Sequence, residues 1–168
     1  GDEWYTPPDV IELARGVLGG IDLDPASNAH AQKTVKARRF FTKADDGLGR
    51  PWSGRVFCNP PYSMPLIEEF TAKLISSHME REVTAAIYLV NNCTDSAWFH
   101  SLLGRYACCF TRGSIGFLSR SGQKFATRQG QPAGRGRCEK AATRDAQPPA
   151  WNQMVRGRVG RRMMPTRV

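Results

Sequence analysis

The chain holds 168 residues, 40% of them hydrophobic, with a formal net charge of +9. That length fits one domain of ordinary size, and no apolar run approaches the roughly 20 residues needed to span a bilayer. Five cysteines, at positions 58, 93, 108, 109 and 138, form no CxxC pair and have no matching His cluster, so neither a metal site nor a disulfide framework is expected.

The first residues, Gly1-Asp2-Glu3-Trp4-Tyr5, show no basic region followed by an apolar stretch, and no signal peptide is expected. The thiols then read as buried or incidental groups in a reducing cytoplasm. Pro7-Pro8-Asp9 precedes apolar residues at 10, 13, 14, 17 and 18, which recur at helical spacing. Pro8 or Asp9 can start this helix and Gly19-Gly20 can end it. Ile21-Asp22-Leu23-Asp24-Pro25 predicts a short buried strand running into a turn, with its acidic residues near the carboxyl end, where α/β proteins bind ligands. Residues 27–41 predict a loop and a weak helix, followed by an extended piece over 39–42. Asp45-Asp46-Gly47 marks a turn.

Gly54-Arg55-Val56-Phe57-Cys58 predicts a strong strand that delivers Asn59-Pro60-Pro61-Tyr62 at its carboxyl end. An amphipathic helix is expected over 64–79, with Ile67, Phe70, Leu74 and Ile75 on one side. A third buried strand is expected over 83–90 and a short helix over 96–103. Residues 106–111 and 115–118 read as strands around a turn at Gly113. Strands alternating with helices imply a mainly parallel, three-layer α/β sheet.

The pattern stops near Ser119. Residues 1–119 hold 12 Lys+Arg against 13 Asp+Glu, whereas residues 120–168 hold 12 against 2 and contain neither Leu nor Ile. All the excess positive charge therefore lies in the last segment. Low hydrophobicity with high charge cannot offset ordering entropy. We expect a folded domain over 1–119 and a basic, Arg/Gly/Pro-rich, poorly packed tail over 120–168.

Asn59-Pro60-Pro61-Tyr62 carries the chemistry. The exocyclic amino group of a nucleobase is a poor nucleophile because its lone pair is delocalised into the ring. Two acceptors aimed at its hydrogens would pull the nitrogen toward tetrahedral geometry. The Asn59 side-chain oxygen can be one and the Pro60 carbonyl the other, with successive prolines fixing the backbone. Pre-aimed polar groups of this kind contribute most in a dry site. Tyr62 offers a flat face on which a flipped-out base can stack. Cys58 reads as a buried strand residue rather than a nucleophile. By its chemistry alone the loop fits a conjugated amino nitrogen in adenine, cytosine, RNA or a glutamine side chain. A non-catalytic basic DNA-binding protein is the alternative in a different class, and an inactive, truncated relic of such an enzyme is a third reading.

Glu3-Trp4-Tyr5-Thr6-Pro7-Pro8, the stretch from Ile21 to Ser27, Phe40-Phe41-Thr42, and Asp45-Asp46-Gly47-Leu48 occur in order with Trp52-Ser53-Gly54 and Val56 through Ser63. They are followed by Leu89-Val90-Asn91-Asn92, Trp98-Phe99-His100 and Phe110-Thr111-Arg112-Gly113. Together these segments resemble the phage-type, Dam-like DNA N-6-adenine methyltransferases, over residues 3 to about 119. The resemblance implies the three-layer, Rossmann-like fold of S-adenosylmethionine-dependent methyltransferases, and selects adenine in DNA as the target of a cytoplasmic, monomeric enzyme. It implies that Trp4, Tyr5, Thr6 and Pro7 close over the methionine end of S-adenosylmethionine. Asp22, Asp24, Pro25, Ala26 and Ser27 match the first cofactor motif, here without its usual glycine-rich form, and Asp24 would engage the methionine ammonium. Asp45 and Asp46 match either a contact to the cofactor's ribose or adenine, or a solvated turn. Where the family continues with apolar strand material, this chain turns Arg/Gly/Pro-rich. The sheet is therefore expected to be incomplete at its C-terminus, as a shifted frame or truncated gene would leave it.

Overall fold

The computed structural model describes residues 4–111, 115–126 and 139–140. The first helix, α1, spans Pro8–Leu18. Pro8 occupies its first turn, where a missing N–H removes no helical bond, and Gly19 ends it at φ 71°, a left-handed conformation that glycine adopts without strain. There follow β1 (Leu23–Asp24), α2 (Gln32–Val35), β2 (Arg39–Phe40), a single 3₁₀ turn (Lys43–Asp45), β3 (Gly54–Cys58), α3 (Leu66–Met79) and β4 (Val83–Tyr88). The remaining described elements are β5 (Asn91–Asn92), α4 (Ala97–Leu103), β6 (Gly116–Leu118), β7 (Lys124–Ala126) and β8 (Glu139–Lys140).

Four strands form a parallel sheet in the order β2-β1-β3-β4. Leu23 lies opposite both Arg39 and Val56, and Cys58 opposite Tyr88. Parallel strands need cover on both faces, and alternation along β3 supplies it. Phe57 joins Ile11, Ala14 and Leu18 of α1, with Ile21 and Leu89. Val56 and Cys58 join Phe70 and Leu74 of α3, with Leu23 and Trp52. The amino end of α3 meets α4 through Ile67, Trp98, Phe99 and Leu102.

Asp22 locks β1 to β3 at the amino end of the sheet. Its carboxylate accepts bonds from the Arg55 side chain at Nε (2.7 Å) and Nη2 (2.9 Å), and from the Arg55 main-chain N–H (2.9 Å). Arg55 Nη1 also donates to the Gly19 carbonyl at 2.6 Å. Positive φ at Gly54 (78°) lets the backbone pass the Asp22 side chain, where a Cβ would come within 2.9 Å of Oδ2.

Several expectations are corrected. The strand expected over 21–25 is reduced to Leu23–Asp24. The third strand ends at Tyr88, short of Val90, because the neighbouring chain beyond Cys58 is Asn-Pro-Pro and prolines offer no ladder donor. Residues 107–111 form no strand. Phe110 is 52% exposed, and a β-prone run without a neighbour to pair with stays irregular. The strand expected over 115–118 pairs instead with β7 in an antiparallel hairpin, so the boundary expected at residue 119 falls inside that hairpin. Leu118 also bridges Tyr5, with reciprocal backbone bonds of 2.9 Å. Cys93 is disulfide-bonded, which corrects the expectation of unpaired thiols at that position. Most of the remaining tail lies outside the described residues.

The Arg55 guanidinium holds the Asp22 carboxyl well below the ordinary carboxylate range. A depressed pKa contributes stability above the unfolded value near 3.8, and loses it as pH falls through the folded one. Asp22→Asn is therefore expected to lower the thermal midpoint at about pH 7 and to lower it less at about pH 3. An equal loss at both pH values, measured by thermal melts, would overturn the ion-pair account.

Candidate active site

The sheet places the loop at the carboxyl edge of β3. In the parallel ladder, Leu89 N donates to the Cys58 carbonyl at 2.9 Å. The next bond would run from the main-chain nitrogen of residue 60 to the Leu89 carbonyl, but Pro60 has no N–H. The Tyr62 hydroxyl takes its place, 3.0 Å from Leu89 O. The same hydroxyl lies 2.9 Å from Asn59 Oδ1. Pro60 is buried, Asn59 and Pro61 are half-buried, and Tyr62 keeps 40% of its surface exposed. The hydroxyl is thus held inward while part of the residue stays open to a stacking partner. Burial, and then the neighbouring Cys58, push the Tyr62 phenol upward. Burial also pushes up the Cys58 thiol, with Asp24 adding to it, which leaves it unreactive.

Asp24 emerges at the same edge from the adjacent strand. It is 3% exposed and is met by Gln32 Nε2 at 2.9 Å and Ala26 N at 3.4 Å. Desolvation raises its carboxyl to about 6, against the opposing bonds from Ser27, Ala26 and Gln32. Gln32 also donates to Ser27 Oγ at 2.7 Å, and its own oxygen accepts from Ala37 N at 2.9 Å. Pro25 is buried while Ala26 and Ser27 are half-buried. The turn from Asp46 presses on this segment, since a Cβ at Gly47 would stand 2.1 Å from the Pro25 carbonyl. Trp52 fastens that turn by donating from Nε1 to Gly47 O at 2.7 Å. Asp45 is used in a capping box with Thr42.

The N-terminal segment comes to the 27–31 region through Tyr5. Its ring lies 4.4 Å from that of His30, and its hydroxyl is 3.5 Å from Asn28 Nδ2. Tyr5, Thr6 and Pro7 are buried, and Trp4 is 42% exposed. Tyr5 and Thr6 line a cavity of about 310 Å³ with His30, Thr34, Ser119 and Arg120 among its walls. Neither Asp24 nor Asn59 lines it. Asp22 is not brought to this edge. It sits level with Arg55, three residues before Cys58 along the neighbouring strand, and its carboxylate is committed there.

Sequence reasoning assigns no role to three residues of this edge, although Asn91 and Asn92 lie in a segment that carries the resemblance. Gln32 links Asp24 to Ser27 from an otherwise weak helix. Asn91 and Asn92 follow β4, and among the described residues both side-chain oxygens are buried with no hydrogen-bond partner. Buried orphan acceptors are costly and rare. Among the described residues no group of His, Cys, Asp or Glu could hold a metal, and no helix is long and apolar enough to cross a membrane.

Asp24 has a measurable cost. A folded pKa near 6, above the ordinary value of 3.8, gives a proton-linked stability that is full below the unfolded value and lost as pH rises through the folded one. The shift corresponds to about 3 kcal/mol. Asp24→Asn removes the charge but keeps only one of the two acceptor oxygens, so the expected gain is smaller, about 1–2 kcal/mol at neutral pH. Urea titrations at about pH 4 and pH 7.5 check this. A gain that does not grow with pH would refute it.

The family model for DNA N-6-adenine-methyltransferase (Dam) matches residues 1–135. No curated protein and no solved structure matches the chain. The matched span reaches past Ser119 and takes in the β6–β7 hairpin, further than the resemblance read from the motifs. With both strand-end segments at one edge of the sheet and most of the chain covered, the protein belongs to the DNA N-6-adenine-methyltransferase (Dam) family.

Proposed function

We propose that this chain is an adenine-specific DNA methyltransferase that uses S-adenosylmethionine and acts on an adenine flipped out of the duplex. The observation that carries this reading is the common edge shared by the Asp24–Ser27 segment and the Asn59–Tyr62 loop, set by the parallel pairing of β1 with β3. The packing of α1 and α3 against opposite sides of β3 supports the three-layer, Rossmann-like form of the methyltransferase fold.

The residues present fit such a cofactor. Asp24 is a buried carboxylate whose hydrogen-bond partners, Gln32, Ala26 and Ser27, are all neutral, and a buried carboxylate is best stabilised by a cation. The ammonium of S-adenosylmethionine supplies one. Ser27, Ala26 and Pro25 continue the same wall, and Trp4, Tyr5, Thr6 and Pro7 form the segment that covers it. When bound, the cofactor provides an electrophilic methyl group on sulfur. The chain itself positions the nucleophile. Asn59 Oδ1 and the Pro60 carbonyl accept the two amino hydrogens of adenine, and the Tyr62 ring stacks on the base. Stacking contributes roughly 1–3 kcal/mol per base. Both acceptors are neutral oxygens rather than bases, so the displaced proton leaves to water. Asp22 serves the sheet rather than the cofactor.

Asn59→Ala is expected to abolish transfer of tritiated methyl groups to DNA while leaving cofactor binding nearly intact. Full activity in that variant would rule out the proposed role. Asp24→Asn should weaken cofactor binding while stabilising the free chain. Offering DNA, RNA and protein together tests the substrate class, and label found only in RNA or protein would sink the DNA reading.

A further inference from the structure

We propose that the Tyr62 hydroxyl and the Leu89 carbonyl together orient the Asn59 side-chain amide, so that its oxygen and not its nitrogen faces the target amino group. This orientation rests on the function proposed above and assigns Tyr62 a positioning role beyond offering a stacking face.

A count of protons decides the orientation. Tyr62 Oη lies 3.0 Å from the Leu89 carbonyl and 2.9 Å from the Asn59 amide end. A phenol has one proton to donate. The Leu89 carbonyl can only accept, and the ladder donor it would have used is missing at Pro60. Among the described residues, the Tyr62 hydroxyl is the donor that replaces it. If the proton went to Asn59 instead, a backbone carbonyl beside a half-buried loop would lose its donor, an arrangement folded proteins avoid.

With the proton committed to Leu89, the phenol oxygen is an acceptor toward its other neighbour. The amide atom 2.9 Å away, assigned as Oδ1 in the structure, must then be exchanged for the donor Nδ2. The two ends of an Asn amide have the same shape, and a half-turn exchanges them without moving anything else. Seated this way, the Asn59 oxygen occupies the opposite prong and is free for a hydrogen from the substrate. The reverse seating would present N–H groups to an amino group, donor against donor, and would not bind it. A missing backbone donor at Pro60 thus selects the productive orientation of Asn59 through Tyr62.

Tyr62→Phe keeps the aromatic face and removes the orienting hydroxyl. It is expected to lower kcat for DNA methylation roughly tenfold to a hundredfold, with KM for S-adenosylmethionine unchanged. In an Asn59→Asp background the carboxylate has two equivalent oxygens and needs no orienting, so the same change should cost about twofold or less. Loss of the donor to Leu89 is common to both backgrounds, and the difference between them therefore reports orientation. An equal cost in both backgrounds overturns the proposal.

A second readout does not depend on activity. In nitrogen-15 spectra of the unaltered chain, one Asn59 side-chain amide proton should be shifted downfield and exchange slowly. Tyr62→Phe should return it to the position of a free amide while the backbone spectrum is retained. Asn59 signals that ignore the substitution refute the orientation, even if the Asn59→Asp background is inactive. Oriented Asn59 signals in a chain that does not methylate DNA would instead refute the proposed function alone.

Discussion

The absence of one N–H group, at Pro60, determines where the sheet stops and the site begins. β3 and β4 run in register from Arg55 opposite Ala85 to Cys58 opposite Tyr88. At the next pairing position the ladder has no donor, so the chain leaves the sheet at a defined point. The hydroxyl of Tyr62 then closes back on Leu89, which ties the loop to the edge it has just left. Two prolines and one side-chain bond thus make a rigid projection out of a segment that would otherwise be an ordinary turn. In the proposed reaction rigidity matters, because a polar group contributes to transfer only if it is already aimed.

The two carboxylates of β1 and its approach show how position along one extended segment divides labour. Asp22 and Asp24 are two residues apart and share a face of the chain. At the amino end Asp22 finds the Arg55 guanidinium and becomes a structural tie. At the carboxyl end Asp24 finds only neutral partners, and burial raises its pKa to about 6. The first stabilises the fold on its own terms. The second burdens the free chain, and such strain is retained where a ligand relieves it.

Much of this was legible in the residues, and for identifiable reasons. α1 could be read from Pro8 and from Gly19-Gly20, because helix punctuation is local chemistry. The strand before Asn59 and the helix after it could be read from apolar spacing. Tyr106–Thr111 misled because β-propensity says nothing about whether a partner strand is present. Asp22 and Asp24 looked alike because sequence does not record which end of a sheet an arginine 33 residues away will occupy. Gln32 was invisible for the same reason, since its role lies in two distant partners rather than in its own helix. The Tyr62 hydroxyl bond to Leu89 depends on the ladder register, which no linear pattern displays. The partial reading of the tail has a different cause. Composition argued against a packed core there, but β7 is held by pairing with β6, whose Phe117 belongs to the main core.

The bridge between Tyr5 and Leu118 bears on how the chain is assembled. It joins segments more than a hundred residues apart with two backbone bonds, and no ladder bond of the four-stranded sheet passes through it. Closing so long a loop is entropically unfavourable until the intervening sheet has formed, which makes this contact a late event of high contact order. The N-terminal segment is thus tied to the β6–β7 hairpin by a bridge of its own, separate from the four-stranded sheet.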